Sequence, residues 1–291
     1  MFTVRLSVPE DIPAQRELWK LAFGDSDAYI DNFYNTYYRP ERVVVLEEDG
    51  VLRSMTAWFD TAFVIPGRGE HRAAYLYAVA THPSCRGRGL AAGLLAGADG
   101  CFRSLGIPAV TTVPAEPSLH RFFGANGFRE CFRTLSGTLR REELLQPPSG
   151  VLRPASPEEY GQVREQLLAG VPHIAYPAGA LAYQAGCCAL GGGGLFVGDP
   201  AGEPLCLCAE RGELAVVKEL LGSDRARRQA ILDLPRVLPA RRWEVRGPCL
   251  QDERSGPWGE PEKFAMLKWL DPALEKAWDW DTTGYLGLAF D

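Results

Sequence analysis

Apolar and polar positions along this chain switch repeatedly between a two-residue and a 3.6-residue period, and the switching predicts a layered set of strands and helices. Residues 2–6 read as a short strand, followed by Pro9, Glu10 and Asp11 as a helix start with proline and acids in its first turn. Leu18, Leu21 and Ala22 stand at helical spacing within 12–23, and 27–38 can form a second helix. The β-branched run 43–47 ends at the turn residues Asp49 and Gly50. Strands are expected at 52–64 and 73–81, separated by a loop at Pro66-Gly67-Arg68-Gly69. A helix at 89–104 stopped by Gly106, a strand at 109–113, a helix at 118–125 closed by Gly127 and a strand at 128–140 complete this half. The mixed order, with adjacent strands early, gives an α/β (α+β) layer and not a bundle or a sandwich. Gln146-Pro147-Pro148-Ser149-Gly150 suits neither helix nor sheet and reads as a linker.

The order of elements then repeats. Arg5-x-x-x-Pro9-Glu10-Asp11 recurs as Arg153-x-x-x-Pro157-Glu158-Glu159, and the turn at Asp49-Gly50 has a counterpart in Asp199-Pro200-Ala201-Gly202. A strand pair follows each turn, at 205–210 and 214–220 in the second half, then a helix near 225–234 and a strand at 242–246. Apolar segments at 264–270 and 285–290 close the chain. The shared order predicts a duplication, with one domain over 1–148 and a second over 149–291.

Composition agrees with that count and removes several functions. The 291 residues suffice for two domains, taking about 150 residues for each. Hydrophobic residues at 46% and charged residues at 23% describe a folded chain, not a disordered one. With 37 acids against 31 bases the net charge is -6, so no overall basic field exists to grip nucleic acid or an anionic membrane, and neither is expected as a partner. No apolar run reaches the roughly 18 residues of a membrane helix. The opening MFTVRLSVPEDIP lacks the long apolar core of a secretion signal and carries Glu10 and Asp11. Cys85, Cys101, Cys131, Cys187, Cys188, Cys206, Cys208 and Cys249 include no C-x-x-C pair, and His71, His82, His120 and His173 are scattered. Zinc-ligand spacing is absent, no metal is expected, and the cysteines read as small buried thiols of a cytoplasmic protein.

The most informative segment is Tyr75-Leu76-Tyr77-Ala78-Val79-Ala80-Thr81-His82-Pro83-Ser84-Cys85-Arg86-Gly87-Arg88-Gly89-Leu90-Ala91. An apolar strand runs into a glycine-rich turn, from which a helix of small residues (Ala91, Ala92, Gly93, Ala96, Gly97, Ala98) opens directly. Amides at such a helix start have no intrahelical acceptor, and the helix dipole makes them attractive to anions. Glycines let a pyrophosphate approach the main chain, and Arg86 and Arg88 can add charge-assisted contacts. The spacing matches neither G-x-x-x-x-G-K-[ST] nor G-x-G-x-x-G.

Val79-x-x-x-Pro83-x-x-Arg86-Gly87-Arg88-Gly89-Leu90-Ala91 resembles the [QR]-x-x-G-x-[GA] acetyl-CoA motif of the GNAT N-acetyltransferase superfamily. Phe122-Phe123-Gly124-Ala125-Asn126-Gly127-Phe128 is similar to the family's F-Y-x-x-x-G-F segment, and the resemblance covers roughly residues 1–140. The tandem order is similar to the enhanced-intracellular-survival (Eis-like) branch, without its third, sterol-carrier-like domain. The resemblance implies a tandem GNAT fold of two mixed sheets flanked by helices, with an active first domain and a degenerate second one. It implies acetyl-CoA as co-substrate, an amine that attacks the thioester directly, and no metal. Main chain at Val79, Ala80 and Thr81 would bind pantetheine and polarise the acetyl carbonyl, while amides from Arg86 to Ala91 (Arg86, Gly87, Arg88, Gly89, Leu90, Ala91) would hold the pyrophosphate.

Two positions depart from the pattern. The tyrosine commonly cast as general acid is Phe123, which has no proton to give, and the asparagine often found seven residues earlier is Glu116. Thiolate protonation then falls to water, to Tyr75 or Tyr77, or needs no dedicated acid. Candidate bases are Glu116, His120 and Asp60, together with Asp291, whose chain-end carboxylate is a candidate by analogy with Eis-like proteins. Each has a plainer reading: a helix cap for Glu116, a surface residue for His120, a frayed tail for Asp291. An acceptor wall is sought in Asp25, Asp27, Tyr29, Asp31, Phe33, Tyr34, Tyr37 and Tyr38, which would suit a cationic amine; an amphipathic helix with a solvated face explains the same residues. In the second half Arg225-Ala226-Arg227-Arg228-Gln229-Ala230 aligns with Arg86 to Ala91 with both glycines replaced, so no CoA is expected there. Gly191 to Gly194 reads as a flexible linker. A non-catalytic acyl-CoA sensor, and transfer of a longer acyl or aminoacyl group, stay open, as does assembly into a homo-oligomer.

Overall fold

The computed structural model describes residues 2–211, 214–249 and 261–290. The first half runs β1 (Phe2–Leu6), α1 (Ile12–Phe23), α2 (Asp27–Thr36), β2 (Val43–Glu48), β3 (Val51–Ile65), β4 (Gly69–Thr81), α3 (Leu90–Ser104), β5 (Ala109–Thr112), α4 (Pro117–Ala125) and β6 (Arg129–Arg140). The second runs β7 (Arg153–Pro154), α5 (Pro157–Leu167), β8 (His173–Ala175), α6 (Ala178–Leu190), β9 (Gly194–Gly198) and β10 (Leu205–Arg211). It continues through β11 (Ala215–Gly222), α7 (Asp224–Val237), β12 (Arg242–Pro248), β13 (Pro261–Trp269) and α8 (Pro272–Ala277). The mixed α/β class expected from the hydrophobic pattern is the one observed. Among the described residues no helix is long and apolar enough to cross a membrane.

Two compact units form, and neither is one continuous stretch. The first contains Met1–Phe63, Glu70–Glu130 and Ala265–Trp280; the second contains Val64–Gly69, Cys131–Phe264 and Asp281–Asp291. A single cut after residue 148 therefore does not separate them. The physical reason is strand pairing. In the first unit β13, from far along the chain, lies antiparallel to β5, with Met266 opposite Thr112 and Trp269 opposite Ala109. In the second unit β6, from the first half of the sequence, lies antiparallel to β12, with Arg140 opposite Arg242 and Thr134 opposite Pro248.

Strand order in the first unit is β1-β2-β3-β4-β5-β13. Pairings of β1 with β2 and β2 with β3 are antiparallel, β4 with β5 parallel, and β5 with β13 antiparallel. The second unit has the order β7-β9-β10-β11-β12-β6. Its parallel pair, β11 with β12, stands at the same place among antiparallel neighbours.

In the first unit α3 buries Leu90, Leu94, Leu95, Ala98 and Phe102 against Val44, Leu46, Trp58, Leu76 and Val110. Burying a side chain of this size stabilises by about 1.5–3 kcal/mol before entropy is counted. Gly97 sets the approach distance, since a Cβ there would lie 2.3 Å from the side chain of Val4. Lys268 on β13 donates to Asp99 Oδ2 of α3 at 2.5 Å and to the Asn126 carbonyl at 2.7 Å, tying the late strand to both helices. Asp99 is thus the polar exception on an apolar helix face, and its partner comes from residues the local pattern does not reach.

The second unit is organised around a fully buried ion pair. Arg164 Nε reaches the Glu219 carboxylate at 3.0 and 3.2 Å, Tyr160 donates its hydroxyl to the same carboxylate, and the remaining guanidinium donors reach the carbonyls of Ile174 and Leu286. A buried pair is costly to desolvate, and these extra hydrogen bonds are what offset that cost. The chain end is held here too. Tyr176 donates to the carbonyls of Leu286 and Leu288, Lys218 Nζ donates to Ala289 at 3.0 Å, and Phe290 is buried against Tyr176 and Tyr183. The tail through Phe290 is therefore fixed and not frayed. Asp291 lies outside the described residues.

Two segments expected to be loose are held tightly. Asp233, buried on α7, accepts from Ser149 Oγ at 3.0 Å and from the amides of Gly150 at 2.7 Å and Leu152 at 2.8 Å. The Pro-Pro-Ser-Gly stretch thus runs onto a helix it is bonded to. Gly191 to Gly194 is not a flexible linker: a Cβ on Gly191 would lie 2.0 Å from the Arg211 carbonyl oxygen, and one on Gly193 would lie 2.0 Å from that of Ala209. Glycine is needed there because two backbones touch. Six of the eight cysteines are buried and all eight are free thiols, as small core residues are expected to be.

Candidate active site

The parallel pair β4–β5 fixes where the site must be. Its register runs from Ala73 opposite Ala109 to Leu76 opposite Thr112, where β5 ends. Beyond Leu76, β4 continues through Tyr77 to Thr81 without β5 beside it. Ala78, inside that free stretch, has φ 50°, a left-handed conformation that an alanine adopts only under the pull of its surroundings. The kink interrupts the strand one residue before Val79, Ala80 and Thr81. Nothing in the sequence signals it, because alanine is not a residue that marks a left-handed position.

From Thr81 the chain passes through a short turn at Pro83–Cys85 into the glycine loop and α3. Gly87 and Gly89 take φ 75° and 78°, and Gly89 is the N-cap of α3. A Cβ at either glycine would meet nothing within 4 Å, so the residue type is set by backbone conformation and not by crowding from the protein. The first amide of the helix with a carbonyl partner is that of Gly93, on Gly89. Among the described residues, none accepts from the backbone N–H groups of Gly87, Arg88, Gly89, Leu90, Ala91 and Ala92. A run of free donors at a helix N-terminus fits a pyrophosphate. Arg86 Nε donates to the Thr81 carbonyl at 3.3 Å. Arg88 forms a two-point pair with Glu48 of β2, and this pairing holds the Glu48 carboxyl below the ordinary glutamate range. Arg88, expected on phosphate, thus already has an anionic partner.

The catalytic candidates sit at the other half of this edge. Glu116 is the N-cap residue of α4, four positions past the end of β5, exposed, with the Ser118 hydroxyl donating to it at 2.5 Å. His120, one turn into α4, has its Nδ1 2.9 Å from Glu130 Oε1 at the start of β6. The carboxyl ends of adjacent parallel strands, where both the glycine loop and α4 begin, are the usual ligand-binding edge of an open α/β sheet. Phe123 is buried against Phe122 and Phe128 and belongs to the core. Asp60 is taken up by Arg42 at 2.7 Å. Tyr75 is buried, and Tyr77 shares a hydrogen bond with Tyr29 at 3.0 Å between the two hydroxyls.

The aromatic segment of α2 forms a packed face. Phe33 lies against Trp19, Phe59 and Tyr77, and Tyr37 against Phe59. Its acids are occupied: Asp27 by Lys20, Asp31 by Arg16, and Asp25 by the Trp19 indole N–H at 2.8 Å. The amphipathic-helix reading describes these residues better than an open anionic wall does.

The second unit lacks the loop outright. Between β11 and α7 only Ser223 remains, and its hydroxyl accepts from the Ala226 amide as the N-cap. Arg225 to Ala230 lie inside α7, so the expected alignment with Arg86 to Ala91 is displaced: the glycines were not replaced in a surviving loop, since no loop is there. Among the described residues no cluster of His, Cys, Asp and Glu side chains is arranged to hold a metal ion.

Residues 3–127 match the family model described as an acetyltransferase (GNAT) domain. The fold is similar to that of Eis1 from Mycobacterium abscessus, with 15% identity, TM-score 0.67, and coverage of 95% of this chain and 75% of that one. A GCN5-related N-acetyltransferase from Anabaena variabilis gives 15% identity and TM-score 0.69, covering 93% of this chain and 73% of that one. One from Kribbella flavida gives 14% and 0.68, covering 93% and 71%. No curated protein matches the sequence significantly.

Proposed function

We propose that this chain, whose residues 3–127 match the family model of a GNAT acetyltransferase domain, moves an acetyl group from acetyl-CoA to a primary amine, by direct attack of the amine on the thioester. The observation that carries the proposal is the six-amide run from Gly87 to Ala92, opening off a strand that is kinked at Ala78 and has lost its parallel neighbour. Those amides, with Arg86, would hold the pyrophosphate, and main chain from Val79 to Thr81 would hold the pantetheine arm and the acetyl carbonyl. Bound acetyl-CoA supplies an activated acyl group and a thiolate leaving group; the protein supplies position, donors toward the developing oxyanion, and a place for the amine proton.

The matching strand orders support a duplication in which the second copy lost its loop, so one acetyl-CoA per chain is expected. A net charge of -6 favours a cationic acceptor. The free thiols support a reducing, cytoplasmic setting. Titration calorimetry with acetyl-CoA tests the site. The expectation is one equivalent per chain, abolished by Gly89→Glu; binding that Gly89→Glu leaves unchanged would contradict it.

A further inference from the structure

His120 and Glu130 form a carboxylate–imidazole pair that has no counterpart in the motifs by which the domain is recognised. His120 is the fourth residue of α4, which starts at the carboxyl end of β5. Its side chain is 18% exposed, and its Nδ1 lies 2.9 Å from Glu130 Oε1. Among the described residues no hydrogen-bond partner is found for its Nε2. A carboxylate on one ring nitrogen fixes the tautomer with Nδ1 protonated and leaves Nε2 as the acceptor, which is the arrangement a general base needs.

We infer that His120 is the proton acceptor for the incoming amine and that Glu130 is the positioning residue that orients it. The inference rests on the acyl-transfer reading of the site. An acceptor arriving as an ammonium ion gives one proton to His120 Nε2 and becomes a neutral amine. The amine nitrogen then bonds to the acetyl carbon as the C–S bond breaks. The second nitrogen proton passes to the departing thiolate, giving the free thiol and the amide, and His120 returns its proton to solvent. The route needs no tyrosine, which accounts for Phe123 in the core. Other charged groups nearby are already engaged or lie on the same helix. Glu116 takes the Ser118 hydroxyl, Arg121 neighbours His120 on α4, and Lys268 from β13 is bonded to Asp99 and the Asn126 carbonyl.

The test is the pH profile of CoA-thiol release from acetyl-CoA across a panel of primary amines, with wild type, His120→Gln, Glu130→Gln and Glu130→Asp. Thermal melting confirms that each is folded, and calorimetry that acetyl-CoA binding is kept. His120→Gln is expected to lower kcat/KM about a hundredfold and to remove the acid-side limb of the profile. Glu130→Gln is expected to lower kcat/KM about tenfold, because the ring loses the carboxylate that orients it. Glu130→Asp should restore part of the rate. A folded His120→Gln variant with wild-type rate and an unchanged limb would overturn the pair while leaving acyl transfer standing. If wild type itself releases no thiol with any amine, the acyl-transfer reading falls and the pair with it.

Discussion

Arg88 and Glu48 are joined by two parallel hydrogen bonds, at 3.0 and 2.5 Å, across the mouth of the glycine loop. An arginine placed to meet a phosphate therefore already holds a carboxylate. A phosphate and the carboxylate compete for one guanidinium fork. Glu48→Gln weakens the competitor, so acetyl-CoA should bind about threefold more tightly, while Arg88→Ala should bind more weakly. Both differences should shrink with added salt, since the pair is exposed. Calorimetry at low and high ionic strength measures them; a Glu48→Gln variant that binds less tightly than wild type would refute the competition.

Gly89 holds a left-handed conformation in open space, so a side chain there is penalised by the backbone alone. Gly89→Val should strain the loop by about 1–2 kcal/mol and raise the acetyl-CoA Kd about tenfold or more. The melting temperature should fall by only a few degrees, roughly as for an exposed turn.

Gly193 makes the opposite argument, because its missing Cβ is where the Ala209 carbonyl sits. Gly193→Ala should destabilise the fold by about 3 kcal/mol or more, measured by urea unfolding. An unaffected midpoint would restore the flexible-linker reading of this run.

Asp233 gives a pH prediction. Burial pushes its carboxyl up, but the amides of Leu152 and Gly150, with Arg236 and Ser149, outweigh burial and hold it below the ordinary aspartate value. A depressed folded value means the stabilisation is complete above the unfolded value of about 3.9 and is lost as pH falls through the lower, folded one. Asp233→Asn should cost about 1–3 kcal/mol at neutral pH, and the gap from wild type should close in acid. Unfolding curves at a series of pH values check this, and a gap that persists below both values would count against it.

The buried tail offers a further check. Tyr176→Phe removes the donor to both Leu286 and Leu288 and should cost about 1–2 kcal/mol. Faster amide exchange confined to 285–290 would show local opening of the tail.

Much of the first unit was legible from short-range pattern. The strand into the glycine loop, the small-residue helix and the Phe122-to-Phe128 turn all lie within a few residues of the signals that define them. What the pattern missed depends on pairing at a distance. The 264–270 run looks like a strand at any position in the chain, and only its fit beside Ala109 to Thr112 places it in the first unit. Glu130 lies ten positions past His120, across a helix end and a turn, and becomes its partner only once β6 returns beside α4. Glu48 and Arg88 meet through the sheet in the same way. Ala78 is hardest of all, since its strain comes from the surrounding sheet and leaves no mark on residue type.

The central claim is that the Gly87–Ala92 amide run serves acetyl transfer to an amine, and thiol release measured with and without a panel of primary amines tests it most directly. The expected result is amine-dependent release, at least ten times the rate with acetyl-CoA alone, and its loss in Gly89→Glu. Acetyl-CoA binding at one site with no amine-dependent release would contradict the claim and leave a binding protein in its place.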